Sequence, residues 1–319
     1  MYGQERLNPH YILRFGLTKE FFDTFRSLEY KGIPIAYTLI RHFHVAIRND
    51  VDRNLKNKKY VGLMQRRHKL YTKADGQRIL QGSIKLRRDL FNHAASRPKT
   101  VIMPATFYPL AIDQFPKERV ILINFNEKEA RAVAGKKLPR NFIVYDLQRS
   151  LNRINLPEKL LRSYTAKIDK IVKTARKHPV FRRAQFRNWM VSNCWTAIKM
   201  IHILNMLIEH NPNSVIIYPF TITYPGSTLD VIAKKYNIPF LLAPTVLCSD
   251  RTMIPMRATY ICAWGHYYDG WLRRRRIPRQ RIAVTGNFRF ENIHEKVTVS
   301  KSALMRMFNI PSDHIVITF

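Results

Sequence analysis

A doubly wound, mostly parallel α/β sheet is predicted by short apolar runs that alternate with segments of helical length. In the second half of the chain Val215–Tyr218, Phe240–Ala243, Tyr260–Ala263 and Ile282–Thr285 read as strands, with Ser227–Tyr236 and Tyr267–Arg275 as intervening helices. Strands that alternate with helices of about ten residues imply parallel pairing through right-handed crossovers. Upstream, Thr100–Met103, Val120–Asn124 and Phe142–Tyr145 are continuously apolar, as expected of strands covered on both faces. Two long helices join these groups. Pro157–Lys177 has Leu160, Leu161, Tyr164, Ile168, Ile171, Val172 and Ala175 on one stripe, and Phe186–Glu209 is the more apolar of the pair.

The remaining elements are placed around this core. Tyr11–Phe15 reads as a strand, Gly16–Thr18 as a turn, Lys19–Tyr30 as a helix and Ile33–Ile40 as a second strand, together a βαβ unit. Residues 41 to 97 are basic and helical in character. Beyond Ile282–Thr285 the segment Glu291–Val299 reads as a linker, Ser302–Phe308 as a short helix and His314–Phe319 as an apolar strand. The resulting expectation is a main domain over residues 1–290, with 291–319 opening a second domain that is mostly absent.

Charge is the unusual property. Lys and Arg total 55 against 22 Asp and Glu, a formal net charge of +33 that is spread along the chain. Such an excess implies attraction to polyanions, whether nucleic acid, anionic lipid or phosphorylated substrates. The cysteines Cys194, Cys248 and Cys262 are too scattered for a disulfide framework, which points to a reducing, cytoplasmic setting. Trp189–Ile208 is interrupted by Asn193, Lys199, His202 and Asn205, short of the roughly 20 apolar residues a membrane span needs. Membrane contact is therefore expected to be peripheral, at the inner face of the cell membrane. The basic face of the helix over residues 157–177, with Lys159, Arg162, Lys167, Lys170, Lys173, Arg176 and Lys177, would be the anchor on an anionic surface.

The chain has no G-x-G-x-x-G after a strand, no phosphate-binding G-x-x-x-x-G-K-[ST], no H-E-x-x-H and no G-x-S-x-G. A nicotinamide dehydrogenase, a P-loop enzyme, a zinc protease and an α/β-hydrolase are all disfavoured. No Cys/His cluster suggests a metal, and no cofactor is expected. Ligands of open α/β sheets sit at the carboxyl ends of strands. That rule nominates Gly16 and Thr18, Thr106, Thr221, Gly265, and Gly286 with Asn287 as substrate-binding positions. Ser227, at a helix start, is a candidate N-cap beside an anion cradle. Of the groups able to take a proton from an acceptor hydroxyl, His266 lies just past a strand end and Asp250 in a loop on the same edge.

Over residues 211–292 the chain resembles GT-B-fold glycosyltransferases of bacterial surface-polymer synthesis, including those that transfer glycerol phosphate in teichoic acid assembly. The resemblance rests on Trp264-Gly265 at a strand end, Ile277-Pro278, Arg281-Ile282 and the closing Thr285-Gly286-Asn287, in that order. Phe288 and Glu291 stand where the family often has proline and aspartate, and Pro244-Thr245-Val246 where it often has a His-Gly pair. The resemblance implies an amino-terminal, Rossmann-like, acceptor-side domain. It implies transfer of a sugar or polyol-phosphate unit from a nucleotide-activated sugar donor to a polysaccharide or lipid-linked acceptor. A basic nucleic-acid-binding protein and a sugar-nucleotide epimerase of the same architecture are the alternatives. The first lacks any helix-turn-helix, zinc-finger or RNP signature.

Overall fold

The computed structural model describes residues 5–84, 86, 99–247, 249–290 and 299–311. Its centre is a seven-stranded, wholly parallel sheet. A separate two-stranded hairpin, β1 (Glu29–Tyr30) and β2 (Ile33–Pro34), precedes it in the chain. The sheet strands are β3 (Thr100–Pro104), β4 (Arg119–Asn124), β5 (Phe142–Asp146), β6 (Ser214–Tyr218), β7 (Phe240–Leu242), β8 (Tyr260–Ala263) and β9 (Ile282–Val284). Their spatial order is β5-β4-β3-β6-β7-β8-β9. Counted along the sheet's own strands this is 3-2-1-4-5-6-7, the Rossmann order with one strand added, so the topology reverses between β3 and β6. Side chains alternate across the sheet as the pleat requires. Val101, Met103, Val120, Leu122 and Ile217 enter one core, while Ile102, Ile121, Ile123, Ile216 and Leu242 enter the other. Over β3, β4, β6 and β7 both faces are covered, which explains why these strands read as continuous apolar runs, while the edge strands β5 and β9 are partly exposed.

The front of the chain departs from the expected βαβ unit. Helix α1 spans Pro9–Thr24 and absorbs the predicted strand Tyr11–Phe15. Asn8 caps it, accepting the Tyr11 N–H at 3.0 Å, and Pro9 sits in its first turn. That pairing is a helix-start signal. The helix is buried from Ile12 to Thr18, so it carries no polar stripe that would have revealed a 3.6-residue period. The predicted strand Ile33–Ile40 is likewise mostly helical. Only Ile33–Pro34 pairs, across a turn in which Lys31 and Gly32 have φ of 49° and 70°, and helices α2 (Ile35–Thr38) and α3 (Ile40–Ala46) follow. Positive φ at both central residues is the geometry of a tight hairpin turn.

Helices α4 (Arg48–Asn54), α5 (Lys58–His68) and α6 (Lys73–Gly82) occupy the described part of the region read as helical, α6 with a capping box between Thr72 and Asp75, and residues 85 and 87–97 of that region lie outside the described residues. Glu20 on α1 ties α1 to α5 and to His178. It accepts from Arg67 at 2.7 Å, from His178 at 3.0 Å and from His68 at 3.2 Å. Burial alone would raise this carboxyl, but hydrogen bonds from His178, His68 and Arg67 outweigh it and hold the group well below the usual range. A depressed carboxylate stabilises the fold above its unfolded pKa, and that contribution is lost as pH falls through the folded value. Glu20→Gln is therefore expected to flatten the acid limb of stability below about pH 5. Urea denaturation at a series of pH values checks this, and equal acid limbs in the two proteins would exclude it.

Of the helices that return the chain to the sheet centre, the two long ones were expected and three short ones were not. Helix α7 (Tyr108–Gln114) follows β3, α8 (Glu127–Val133) follows β4, and α9 (Leu147–Arg153) follows β5. Next come α10 (Glu158–Thr174) and α11 (Ala184–Glu209). Tyr164 and Ile168 are buried on α10, whereas Lys159, Arg162, Lys167, Lys170, Lys173, Arg176 and Lys177 are all exposed. Arg187 of α11 clamps Asp169 of α10 with both arms of its guanidinium, at 2.7 and 3.0 Å. Among the described residues no helix is long and apolar enough to cross a membrane. Helices α12 (Gly226–Tyr236), α13 (Asp250–Met253) and α14 (His266–Arg274) complete the main body, and α15 (Lys301–Met307) matches the predicted terminal helix. Most of the predicted linker Glu291–Val299 and the whole of the predicted strand His314–Phe319 lie outside the described residues.

Candidate functional site at the carboxyl edge of the sheet

The topology reverses between β3 and β6, and the carboxyl ends of strands at such a point are where open α/β sheets hold their ligands. From β3 the chain enters a 3-10 turn, Ala105–Phe107, that carries Thr106, half-buried, on the rim. From β6 it leaves through Tyr218, whose buried hydroxyl has no hydrogen-bond partner among the described residues. Burial first, and the Glu129 charge second, push this phenol well above its ordinary range. Glu129, on α8 beyond β4, accepts the Phe125 N–H at 2.7 Å. Burial raises its carboxyl despite the hydrogen bonds from Phe125 and Asn126. An unpaired phenol and a carboxyl thus lie within electrostatic reach of one another near the carboxyl ends of β6 and β4.

The loop that follows β6 is rigidly braced. Arg257, fully buried, pairs with the equally buried Asp230 of α12 and donates to the Thr221 carbonyl at 2.9 Å. Burial pushes Asp230 up, partly offset by Arg257. Thr221 is itself buried, its hydroxyl donating to the Pro255 carbonyl at 3.4 Å. The Ser227 hydroxyl donates to the Thr38 carbonyl at 2.8 Å and fastens α12 to α2. Ser227 is therefore not the cap expected of it. The N-cap position belongs to Pro225, which offers no side-chain cap, and the Ser227 hydroxyl serves packing.

The turns at β8 and β9 do lie side by side on the same edge. Thr285 N–H donates to the Ala263 carbonyl at 2.9 Å, and the strands are parallel neighbours. Trp264 donates from Nε1 to the Pro244 carbonyl at 2.8 Å, which joins the end of β8 to the segment after β7. Gly265 has φ of 178°, an extended conformation open to any residue. Gly286, at φ 76°, is in the left-handed region that favours glycine. Its turn sends the chain back over the sheet edge, so that Asn287 is buried and the Phe288 ring meets that of Phe107, 4.8 Å between centroids. The segment after the outermost strand thus reaches the carboxyl end of β3 at the sheet centre. His266 is exposed at the first position of α14.

Three other sequence-nominated positions fall elsewhere. Gly16 and Thr18 lie in mid-helix on α1, not at a strand end. A Cβ on Gly16 would stand 2.6 Å from the Met64 methyl, so this glycine serves close packing of α1 on α5. Thr18 donates to the Arg14 carbonyl at 2.7 Å and contacts His44 Nε2 at 3.0 Å. Asp250 is buried between two cations, Arg275 Nε at 2.6 Å and Lys73 Nζ at 2.9 Å. A carboxylate held this way supports structure and is poorly placed to take a proton from a substrate.

Sequence reasoning missed Tyr218, which it read only as a strand end, and Glu129, to which it gave no role. It also missed a cavity of about 550 Å³ beyond β4 and β5, lined by Asn124, Asn126, Asp146, Arg149 and their neighbours. The carboxyl-end rule applied to every strand would have named Asn124 and Asp146. No known family model, curated protein or solved structure matches the chain.

Proposed function

We propose that the chain is the acceptor-side unit of a GT-B-like glycosyltransferase. It would move a sugar or polyol-phosphate unit from a nucleotide-activated donor to a surface-polymer or lipid-linked acceptor. The observation that carries the reading is the shared carboxyl edge of a Rossmann-ordered sheet. Thr106, Thr221, Trp264-Gly265 and Gly286-Asn287 all follow strands on it, with the last two pairs adjacent. His266, exposed at that edge, serves as the base that takes the acceptor proton. The exposed basic face of α10 supports docking at an anionic membrane surface, where each Lys or Arg contributes about 1 kcal/mol. Asp250, committed to Arg275 and Lys73, has no catalytic part in this reading.

The test is transfer from a panel of labelled nucleotide-sugars to lipid-linked acceptor, with donor binding measured alongside. His266→Ala is expected to lower turnover by about 10²–10⁴-fold while donor binding persists. Turnover at the wild-type rate in His266→Ala would remove the base from the scheme. Failure to bind any nucleotide-sugar, together with oligonucleotide affinity that falls steeply with salt, would replace the reading with nucleic-acid binding.

A further inference from the structure

We propose that Arg14, Arg41 and Arg251 frame a binding site for a phosphate group, between the amino-terminal helices and the loops that leave β6 and β7. Arg14 on α1 is only 4% exposed, yet no carboxylate among the described residues bonds to it. Its Nη2 donates to His44 Nδ1 at 2.6 Å and to the Arg251 carbonyl at 3.0 Å, while its buried Nε has no partner. The bonding fixes the histidine. Nδ1 accepts from Arg14, so Nε2 carries the proton and donates to the Thr18 hydroxyl, which in turn donates to the Arg14 carbonyl. A neutral His44 thus positions Arg14 without balancing its charge.

The surroundings add positive charge. Arg41 on α3 and Arg251 on α13 form no ion pair among the described residues, and Arg251 is exposed. His10 faces the same cluster, and His42 packs its ring on Tyr224 of the loop after β6, 4.6 Å between centroids, with a buried Nδ1 that lacks a partner. Two acids come within electrostatic reach. Asp52 acts on His10, and Asp250 acts on Tyr11 but is already committed to Arg275 and Lys73. Burial, and next the Arg251 charge, bring the Arg14 guanidinium down to about 10. A buried guanidinium without a counter-ion is costly, and guanidinium groups converging from three elements match the oxygens of a phosphate. The site stands on this geometry whatever reaction the sheet edge supports.

Calorimetric and thermal-shift titration of the full chain with inorganic pyrophosphate tests it, alongside phosphatidylcholine vesicles with and without phosphatidic acid. Wild type should bind pyrophosphate and melt at a higher temperature with it. Binding confined to the phosphatidic acid vesicles would identify a lipid phosphate as the source. In either arm, Arg41→Ala with Arg251→Ala should weaken binding at least tenfold. Lys136→Ala with Lys137→Ala, equal in charge but exposed between α8 and β5, should leave it unchanged. Arg14→Met should melt no lower than wild type without ligand and gain nothing from pyrophosphate. Equal losses in the two double variants, an Arg14→Met protein still stabilised by pyrophosphate, or binding in neither arm would overturn the proposal.

Discussion

Gly226→Ala is expected to destabilise the protein by about 3–5 kcal/mol, enough to leave much of it unfolded at growth temperature. A Cβ there would stand 2.1 Å from the Phe220 carbonyl oxygen, 2.9 Å from Tyr218 Cδ1 and 3.1 Å from the Phe220 carbonyl carbon. Two of these atoms are backbone, which no rotamer change moves aside. Nor is the loop free to retreat. Arg257 holds the Thr221 carbonyl, and Ser227 holds α12 against the Thr38 carbonyl. The glycine is therefore required by the close approach of two backbones and not by its dihedrals. Gly82→Ala is the control. Nothing lies within 4 Å of a Cβ at that helical position, so alanine should be neutral or stabilising by up to about 1 kcal/mol. Urea unfolding of both variants decides the matter, and a Gly226→Ala midpoint within error of wild type would show that the loop yields.

The same contrast shows what the sequence could and could not reveal. Every strand of the sheet was legible, because each is a continuous apolar run that chain neighbours suffice to identify, even at the partly exposed edge strands β5 and β9. Its parallel sense was also legible, since alternation with helices of the length of α12 and α14 enforces parallel pairing. The front of the chain was misread for the corresponding reason. A helix buried on all sides, as α1 is from Ile12 to Thr18, is also a continuous apolar run, and only the Asn8-Pro9 cap separates the two readings. At the sheet edge the rule of carboxyl ends found Thr106, Thr221, Gly265 and Gly286. It could not show that Thr221 faces inward, or that Ser227 bonds to Thr38, because those depend on partners distant in the chain. The cluster at Arg14 depends on three segments far apart in sequence, and no local pattern marks an arginine that lacks a carboxylate.

Asp250 gives the second large effect, and it separates structure from chemistry at a residue that sequence alone nominates as a base. Asp250→Ala is expected to cost about 3–5 kcal/mol, because it leaves the Arg275 guanidinium, 1% exposed, without its closest counter-charge. Arg275 remains pinned where it is. It lies 3.8 Å over the Trp271 ring and donates to the Trp271 carbonyl at 2.8 Å, so relocation to solvent would dismantle the end of α14. Glu5, 3.8 Å from Arg275, is too far off to replace the lost bond, and Lys73 would lose its 2.9 Å partner in the same step. Adding Arg275→Met should recover much of the loss, since a methionine fills a similar volume over Trp271 and removes the orphaned charge. Recovery in the double variant means that the carboxylate holds the fold together. A single Asp250→Ala protein that unfolds like wild type but fails only in turnover would return Asp250 to the catalytic scheme and displace His266 from it.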